Sequence, residues 1–358
     1  MIPVTKSFLP PLEEYIDHLK IAYANRWLTN RGELVQKLEA DILSYLDIRD
    51  QSFLLMNNGT IPLQIAVKLL GGGGEIITTP FSYVATSSSI LWEGCSPVYV
   101  DIDPNTFNID ADKIENAITE KTTCILATHV YGIPCDVLKI DAIAKKHDLK
   151  VIYDAAHAFG VRIHGKSIFE FGDLSTCSFH ATKIFHTAEG GGVFCKDSDL
   201  FNKIFYSHNF GHNGPTDFYG LGINGKMSEV NAAMGLAVLP HMQVILDSRK
   251  QLIDIYNTSI ENIKIKKPSV PFNIQWNYSY YPIVFDSEST LEAMISRMNE
   301  RNIFPRRYFY PSLNRVFQRN ATVMEIAENV SKCVVCLPLY HDLSLIQQNL
   351  VIDILNQI

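Results

Sequence analysis

Residues 53–79 read FLLMNNGTIPLQIAVKLLGGGGEIITT, and the order of signals in this stretch decides the fold class. Phe53 to Met56 is a short apolar run that stops at the turn-forming cluster Asn57-Asn58-Gly59-Thr60. From Thr60 to Leu70 apolar residues recur at helical spacing. The glycines at 71–74 then end the helix before Glu75-Ile-Ile-Thr-Thr opens another strand. Strand, glycine-containing turn and helix form a layout suited to phosphate, because a helix N-terminus presents free N–H groups to an anion.

The alternation continues on both sides. Leu34, Leu38, Ile42 and Leu46 mark a helix over Glu33 to Leu46. Downstream the pattern predicts a helix near Ser87 to Trp92, a strand at Pro97 to Val100 and a helix at Ala111 to Thr119. Strands at Cys124 to Thr128 and Val151 to Tyr153 frame one more helix, Ile140 to His147. Strands separated by helices imply a largely parallel sheet covered on both faces, so the fold class is α/β, doubly wound. After Met227 a long helical pattern runs to about Tyr256 with a break near Pro240. Beyond it, strands near Tyr278 to Phe285 and Val334 to Leu339 mix with helices at Leu291 to Asn302 and Leu345 to Leu355. The expected division is a large α/β domain over 1–245 and a smaller α+β domain over 246–358.

Composition removes several function classes. Hydrophobic residues make up 47% of the 358 and charged ones 19%, which is ordinary globular usage rather than disorder. The net charge is −7, and the basic pairs Lys145-Lys146, Lys266-Lys267 and Arg306-Arg307 are scattered, so no nucleic-acid partner is expected. The opening MIPVTKSFLPPLEEY meets prolines and acids before any apolar run, and no stretch of about 18 apolar residues is evident, so a cytoplasmic protein without membrane contact is expected. Seven cysteines read as reduced thiols. Cys333 and Cys336 lack a second ligand pair for zinc and sit in the apolar run CVVCLPLY, so no metal is expected.

Val151-Ile-Tyr-Asp-Ala-Ala-His157 is an apolar strand that delivers Asp154 at its C-terminal end, where open α/β sheets bind ligands. Taken alone, such an aspartate more often caps the next helix. Twenty-nine positions on lies Lys183, in Cys177-Ser-Phe-His-Ala-Thr-Lys183, a segment that leads through Gly190-Gly-Gly192 into another apolar run. A lone lysine is usually a solvated charge. A lysine in buried surroundings instead loses its proton readily, as a Schiff-base nucleophile must. An upstream carboxylate fits the same chemistry, because pyridoxal phosphate is an electron sink while an acid keeps its ring nitrogen protonated.

At this point the chain resembles the DegT family of pyridoxal-phosphate-dependent sugar aminotransferases, of fold type I. The likeness is carried in order by Trp27-Leu-Thr-Asn, Asn58-Gly-Thr, Pro80-Phe-Ser-Tyr-Val-Ala-Thr, Pro97-Val-Tyr-Val-Asp-Ile-Asp, His129-Val-Tyr-Gly, Asp154-Ala-Ala-His, Ser178-Phe-His-Ala-Thr-Lys and Gly222-Ile-Asn-Gly-Lys-Met-Ser-Glu. Arg306-Arg-Tyr-Phe-Tyr-Pro and Cys336-Leu-Pro-Leu-Tyr extend it. The resemblance implies that Lys183 holds the cofactor covalently and that Asp154 pairs with the pyridine nitrogen. It implies further that Gly59, Thr60 and Ser178 take the phosphate and that Tyr83 stacks on the ring. Asn224 would reach the cofactor of a neighbouring subunit, giving a homodimer with shared active sites. His157 replaces the glutamine of many members and can donate the same bond to the ring hydroxyl. Lys226 replaces an arginine and loses its planar fork. His180, Arg307, Tyr308 and Tyr310 match the substrate side.

The implied reaction uses L-glutamate as amino donor and a nucleotide-linked keto sugar as acceptor. The preferred acceptor is dTDP-4-keto-6-deoxyglucose, aminated at C4, with C3 amination of a dTDP-3-keto-6-deoxyhexose as the alternative. A sugar dehydratase of the same family would carry histidine in place of Lys183. A non-catalytic regulatory protein is the reading from another class. A surface polysaccharide precursor such as O-antigen or lipopolysaccharide is the expected destination of the product.

Overall fold

The computed structural model describes residues 1–261, 265–318 and 322–357. Seven strands form its main sheet, in the order Ser52–Met56, Gly191–Cys195, Leu174–Ser178, Lys150–Asp154, Thr122–Thr128, Glu75–Thr78 and Ser96–Tyr99. Gly191–Cys195 runs against both neighbours, and the other six are parallel. Successive residues of a strand point to opposite faces. Leu54, Met56 and Ile152 therefore enter one buried cluster, while Phe53, Leu55, Val151 and Tyr153 enter another on the far side. Both faces are covered, which is why these strands read as unbroken apolar runs.

The helix Thr60–Leu70 supplies Leu63, Ile65 and Val67 to the first cluster, and Glu33–Tyr45 supplies Leu34, Leu38 and Ile42 to the second. The buried Glu229 carboxylate accepts the N–H groups of Leu34 (2.8 Å) and Val35 (3.2 Å), satisfying donors that a helix start leaves unpaired. The long pattern after Met227 resolves into Glu229–Val238, a 3-10 turn at Leu239–His241 around Pro240, and Met242–Ser259. As one run, Glu229–Ser259 is long and apolar enough to span a bilayer, contrary to the expectation for any stretch of this chain. Yet 56% of its most apolar window is buried inside the fold, as in the core helix of a soluble protein.

The C-terminal part has its own cluster, in which Leu252, Tyr256, Ile283, Leu291, Val335 and Val351 pack with Ile2 from the chain start. Ile2–Pro3 pairs with Ile303–Phe304, and Pro282–Val284 with Val334–Cys336. Three expected elements are shorter than predicted. The helix from Ala111 stops at Ile114 with one 3-10 turn to Ala117, and the Thr122 hydroxyl accepts the Thr119 N–H at 2.9 Å. The strand expected from Tyr278 begins at Pro282, because Tyr278 has φ of 56° and Asn277 and Ser279 bond to residues 157–159 instead. The strand from Val334 ends at Cys336 rather than Leu339. The helix Leu12–Asn25 was not anticipated.

Candidate active site

The C-terminal ends of Lys150–Asp154 and Leu174–Ser178 open onto a cavity of about 340 Å³. Its lining includes Gly59, Thr60, Tyr83, Asp154, His157, Ser178, His180, Lys183 and Tyr308. Nine positions picked from the first 310 residues thus converge on one hollow. A larger cavity, about 450 Å³ between Asp103, Asp136, Ile163 and Phe272, holds none of them. Chemistry, not volume, selects the site.

At one end the chain turns from Met56 into the helix Thr60–Leu70. Asn58 Oδ1 accepts the N–H groups of Thr60 (2.8 Å) and Ile61 (2.9 Å), so the helix start is partly self-capped. The Gly59 N–H and the Thr60 hydroxyl make no hydrogen bond among the described residues, leaving two donors beside Ser178. Gly59 is required by proximity: a Cβ there would lie 2.6 Å from Ser178 Cβ and 2.9 Å from its Oγ. This is a cradle sized for an anion held by backbone and hydroxyl groups.

Asp154 ends its strand with its carboxylate buried. Oδ2 accepts from Thr86 Oγ1 at 2.7 Å and Oδ1 from the Ala156 N–H at 3.1 Å. Burial raises its pKa, against the lowering effects of Thr86, the Ala156 N–H and Lys183. Lys183 follows a tight turn closed by its own N–H to His180 O (2.8 Å), and its side chain has no hydrogen bond or ion pair among the described residues. Desolvation lowers its pKa to about 8, with Asp154 opposing. A fraction of the amine is therefore neutral and nucleophilic near physiological pH.

His157 is buried, and burial together with the nearby Lys183 charge holds it neutral, far below its ordinary pKa. Its Nδ1 accepts the Tyr131 N–H at 3.3 Å, so the hydrogen resides on Nε2, which has no protein partner among the described residues. Tyr83 is exposed at the cavity mouth. His180 Nδ1 pairs with the Thr182 hydroxyl at 2.8 Å, and its Nε2 lies 3.6 Å from Glu189 Oε1.

Three expected residues lie elsewhere. Arg307 donates to Glu288 Oε1 (2.7 Å) and Lys332 O (2.8 Å) and lies 3.6 Å over the Tyr310 ring, so both are occupied outside the cavity lining. Asn224 is exposed and away from its own chain's cavity, where its Oδ1 accepts from Lys226 Nζ at 2.7 Å. Sequence reasoning missed Thr86, Ser82, Thr128, Tyr280 and Phe309. Thr86 and Ser82 stood inside the motif that yielded Tyr83, whereas Tyr280 and Phe309 arrive from distant chain with no local signal.

The donor set fits pyridoxal phosphate: hydroxyls and N–H groups for a phosphate, a carboxylate for a ring nitrogen, an Nε2–H for a ring oxygen and an amine for an aldehyde. Comparison with known proteins agrees. Residues 12–356 match the DegT/DnrJ/EryC1/StrS aminotransferase family. The chain is 43% identical over 349 residues to a dTDP-4-amino-4,6-dideoxy-D-glucose transaminase of Shigella dysenteriae, covering 95% of this chain and 94% of the relative. A transaminase of the same name from Escherichia coli is 38% identical, covering 96% and 95%. Among solved structures, DesI crystallised with its TDP-sugar product superimposes with a TM-score of 0.93 at 28% identity, covering 99% of this chain and 92% of that one.

Proposed function

Because the chain belongs to the DegT/DnrJ/EryC1/StrS aminotransferase family, we propose that it aminates a nucleotide-linked keto sugar, with dTDP-4-keto-6-deoxyglucose as acceptor, C4 as the position and L-glutamate as donor. The observation that carries the reading is the meeting of Lys183, its pKa lowered to about 8, with the buried Asp154 in one cavity. The 43% identity to a transaminase named for the C4 amino sugar supports the choice of substrate.

The enzyme is pyridoxal-phosphate-dependent, and the bound cofactor supplies an electron sink that stabilises charge at the carbon losing a proton. Lys183 Nζ would anchor it and, once the nitrogen of the amino donor has displaced it, would accept that proton and give it back. Asp154 holds a proton at the ring nitrogen. Gly59, Thr60 and Ser178 bind the phosphate, His157 Nε2–H orients the ring oxygen and Tyr83 covers the ring. Tyr308 and His180 line the sugar side. With lysine at position 183, amination is favoured over dehydration.

The protein works as a cytoplasmic homodimer in a surface-polysaccharide route, in which Asn224 serves the partner's site. The exposed Phe218, Tyr219 and Leu221, a few residues before Asn224 in sequence, support a docking face for a second copy.

Purified protein should be yellow and lose its long-wavelength band on adding L-glutamate. NMR of the product formed from the 4-keto and the 3-keto dTDP-sugars reads the position of amination. Lys183→Ala should retain the fold and abolish turnover. Normal turnover by that variant, or amination at C3 alone, would overturn the reading.

A further inference from the structure

Four buried oxygen atoms form one continuous line beneath the cavity. Thr86 Oγ1 lies 2.7 Å from Asp154 Oδ2, Ser82 Oγ lies 2.8 Å from Thr86 Oγ1, and Thr128 Oγ1 lies 3.1 Å from Ser82 Oγ. None of these residues is more than 5% exposed. Three separate elements bring them together. Ser82 and Thr86 sit four residues apart across the start of the helix Val84–Trp92, while Thr128 and Asp154 end adjacent parallel strands.

The direction of the line follows from counting hydrogens. An ionised carboxylate only accepts, and a hydroxyl has one hydrogen to give. The Thr86 hydrogen is therefore spent on Asp154. Ser82 must supply the hydrogen between itself and Thr86, and Thr128 the one between itself and Ser82. Every hydrogen points toward Asp154, and each bond polarises the next.

We propose that Thr86, Ser82 and Thr128 form a directional hydroxyl relay that keeps Asp154 ionised opposite the pyridine nitrogen of pyridoxal phosphate, making all three positioning residues. The relay matters only if Asp154 holds that nitrogen, as proposed above. Other groups around the carboxylate contribute less. Cys177 on the next strand and Cys135 beyond Thr128 are kept protonated by burial, and His129 and His157 are kept neutral by it. Among the described residues Lys183 is the one cation acting on Asp154, and it is consumed as the anchor of the cofactor.

The test is the affinity of the apoprotein for pyridoxal phosphate as a function of pH, with thermal melting of every variant alongside. Removing a donor from a carboxylate raises its pKa, so with Thr86→Val the acid limb of affinity should move up by about one pH unit. Thr86→Ser, which keeps the hydroxyl, should follow the wild type. Ser82→Ala and Thr128→Val should shift the limb by successively smaller amounts, since each is one bond further away. If Thr86→Val does not fold, Ser82→Ala tests the relay through a shift in the same direction but of smaller size. A limb that stays in place, or affinity lost equally at every pH in all three variants, would overturn the relay while leaving the cofactor reading intact. Wild-type protein that takes up no pyridoxal phosphate would overturn the cofactor reading itself.

Discussion

The Tyr131 backbone N–H donates to His157 Nδ1 at 3.3 Å, and this bond fixes which nitrogen of His157 can serve the site. Tyr131 presents its N–H from a left-handed backbone with φ of 56°. The His157 ring is held parallel to Phe309 at 5.7 Å and edge-on to Tyr280 at 5.0 Å. Nε2–H is thus a fixed donor rather than a titrating one. His157→Gln keeps a donor and should retain most activity, whereas His157→Phe should lower kcat by about ten- to a hundredfold, the worth of one hydrogen bond to a charged oxygen. The wild-type cofactor spectrum should show no transition near the ordinary histidine pKa of about 6.5. Steady-state kinetics and a pH-resolved absorption series check both points.

Gly59→Ala tests the phosphate cradle without touching any reactive group. The new methyl would sit 2.6 Å from Ser178 Cβ and 3.0 Å from its Cα, and a backbone atom cannot yield as a flexible side chain does. The turn must open, moving the Gly59 N–H and the Thr60 hydroxyl away from Ser178. Equilibrium dialysis should show cofactor affinity reduced at least about tenfold, the loss of one good hydrogen bond to an anion. Ser178→Ala removes one hydroxyl and should cost less. Equal affinity in Gly59→Ala and wild type would remove the cradle from this turn.

Four buried histidines, His129, His157, His186 and His208, make the fold acid-sensitive, each held below its ordinary pKa by burial. Burial lowers the pKa of His129 to about 3 and that of His208 to about 4, and it also holds His157 far below its usual value. His129 shows the cost locally, because its Nδ1 accepts the Cys135 N–H at 3.0 Å and a second ring hydrogen would break that bond. Between pH of about 6.5 and 4 the unfolded chain binds more protons than the folded one, so stability is full above that window and falls as pH drops through it. Urea midpoints measured across this range should decline toward acid. His129→Asn, which cannot take up a proton, should flatten the decline.

The large sheet was legible because both of its faces are buried, so runs such as Phe53 to Met56 and Val151 to Tyr153 carry an undiluted apolar signal ended by turn residues. The placing of Asp154 and Lys183 in one cavity was legible for a related reason, since Asp154 ends such a run and the Lys183 segment leads into one. What stayed hidden depends on contacts far apart in sequence. Arg307 resembles a substrate-side residue in sequence, yet its terminal nitrogen is turned to Glu288 and the Lys332 carbonyl, outside the cavity lining. Tyr278 to Tyr281 has strand-forming composition, yet Asn277 and Ser279 spend their polar groups on the carbonyls of His157 and Phe159, and no local pattern announces that.

Arg249 lies behind that segment and gives the last prediction. Its guanidinium is buried with no carboxylate in ion-pair reach among the described residues, and desolvation lowers its pKa to about 10. It donates instead to three carbonyls, Tyr278 O at 2.8 Å, Leu339 O at 3.0 Å and Ser279 O. Ser279 Oγ in turn donates to His157 O at 2.6 Å, so Arg249 supports the backbone that carries the cavity residue His157. Arg249→Lys keeps the charge but cannot reach three divergent acceptors with a point-like ammonium. Leaving one or two buried carbonyls unpaired costs about 1–3 kcal/mol each. Arg249→Lys should therefore lower the melting temperature by several degrees, and Arg249→Met by more, since it strands all three carbonyls. If the network also positions His157, both variants should release pyridoxal phosphate faster than a control destabilised equally in the C-terminal cluster, such as Val351→Ala. Matching release rates would confine Arg249 to stability alone.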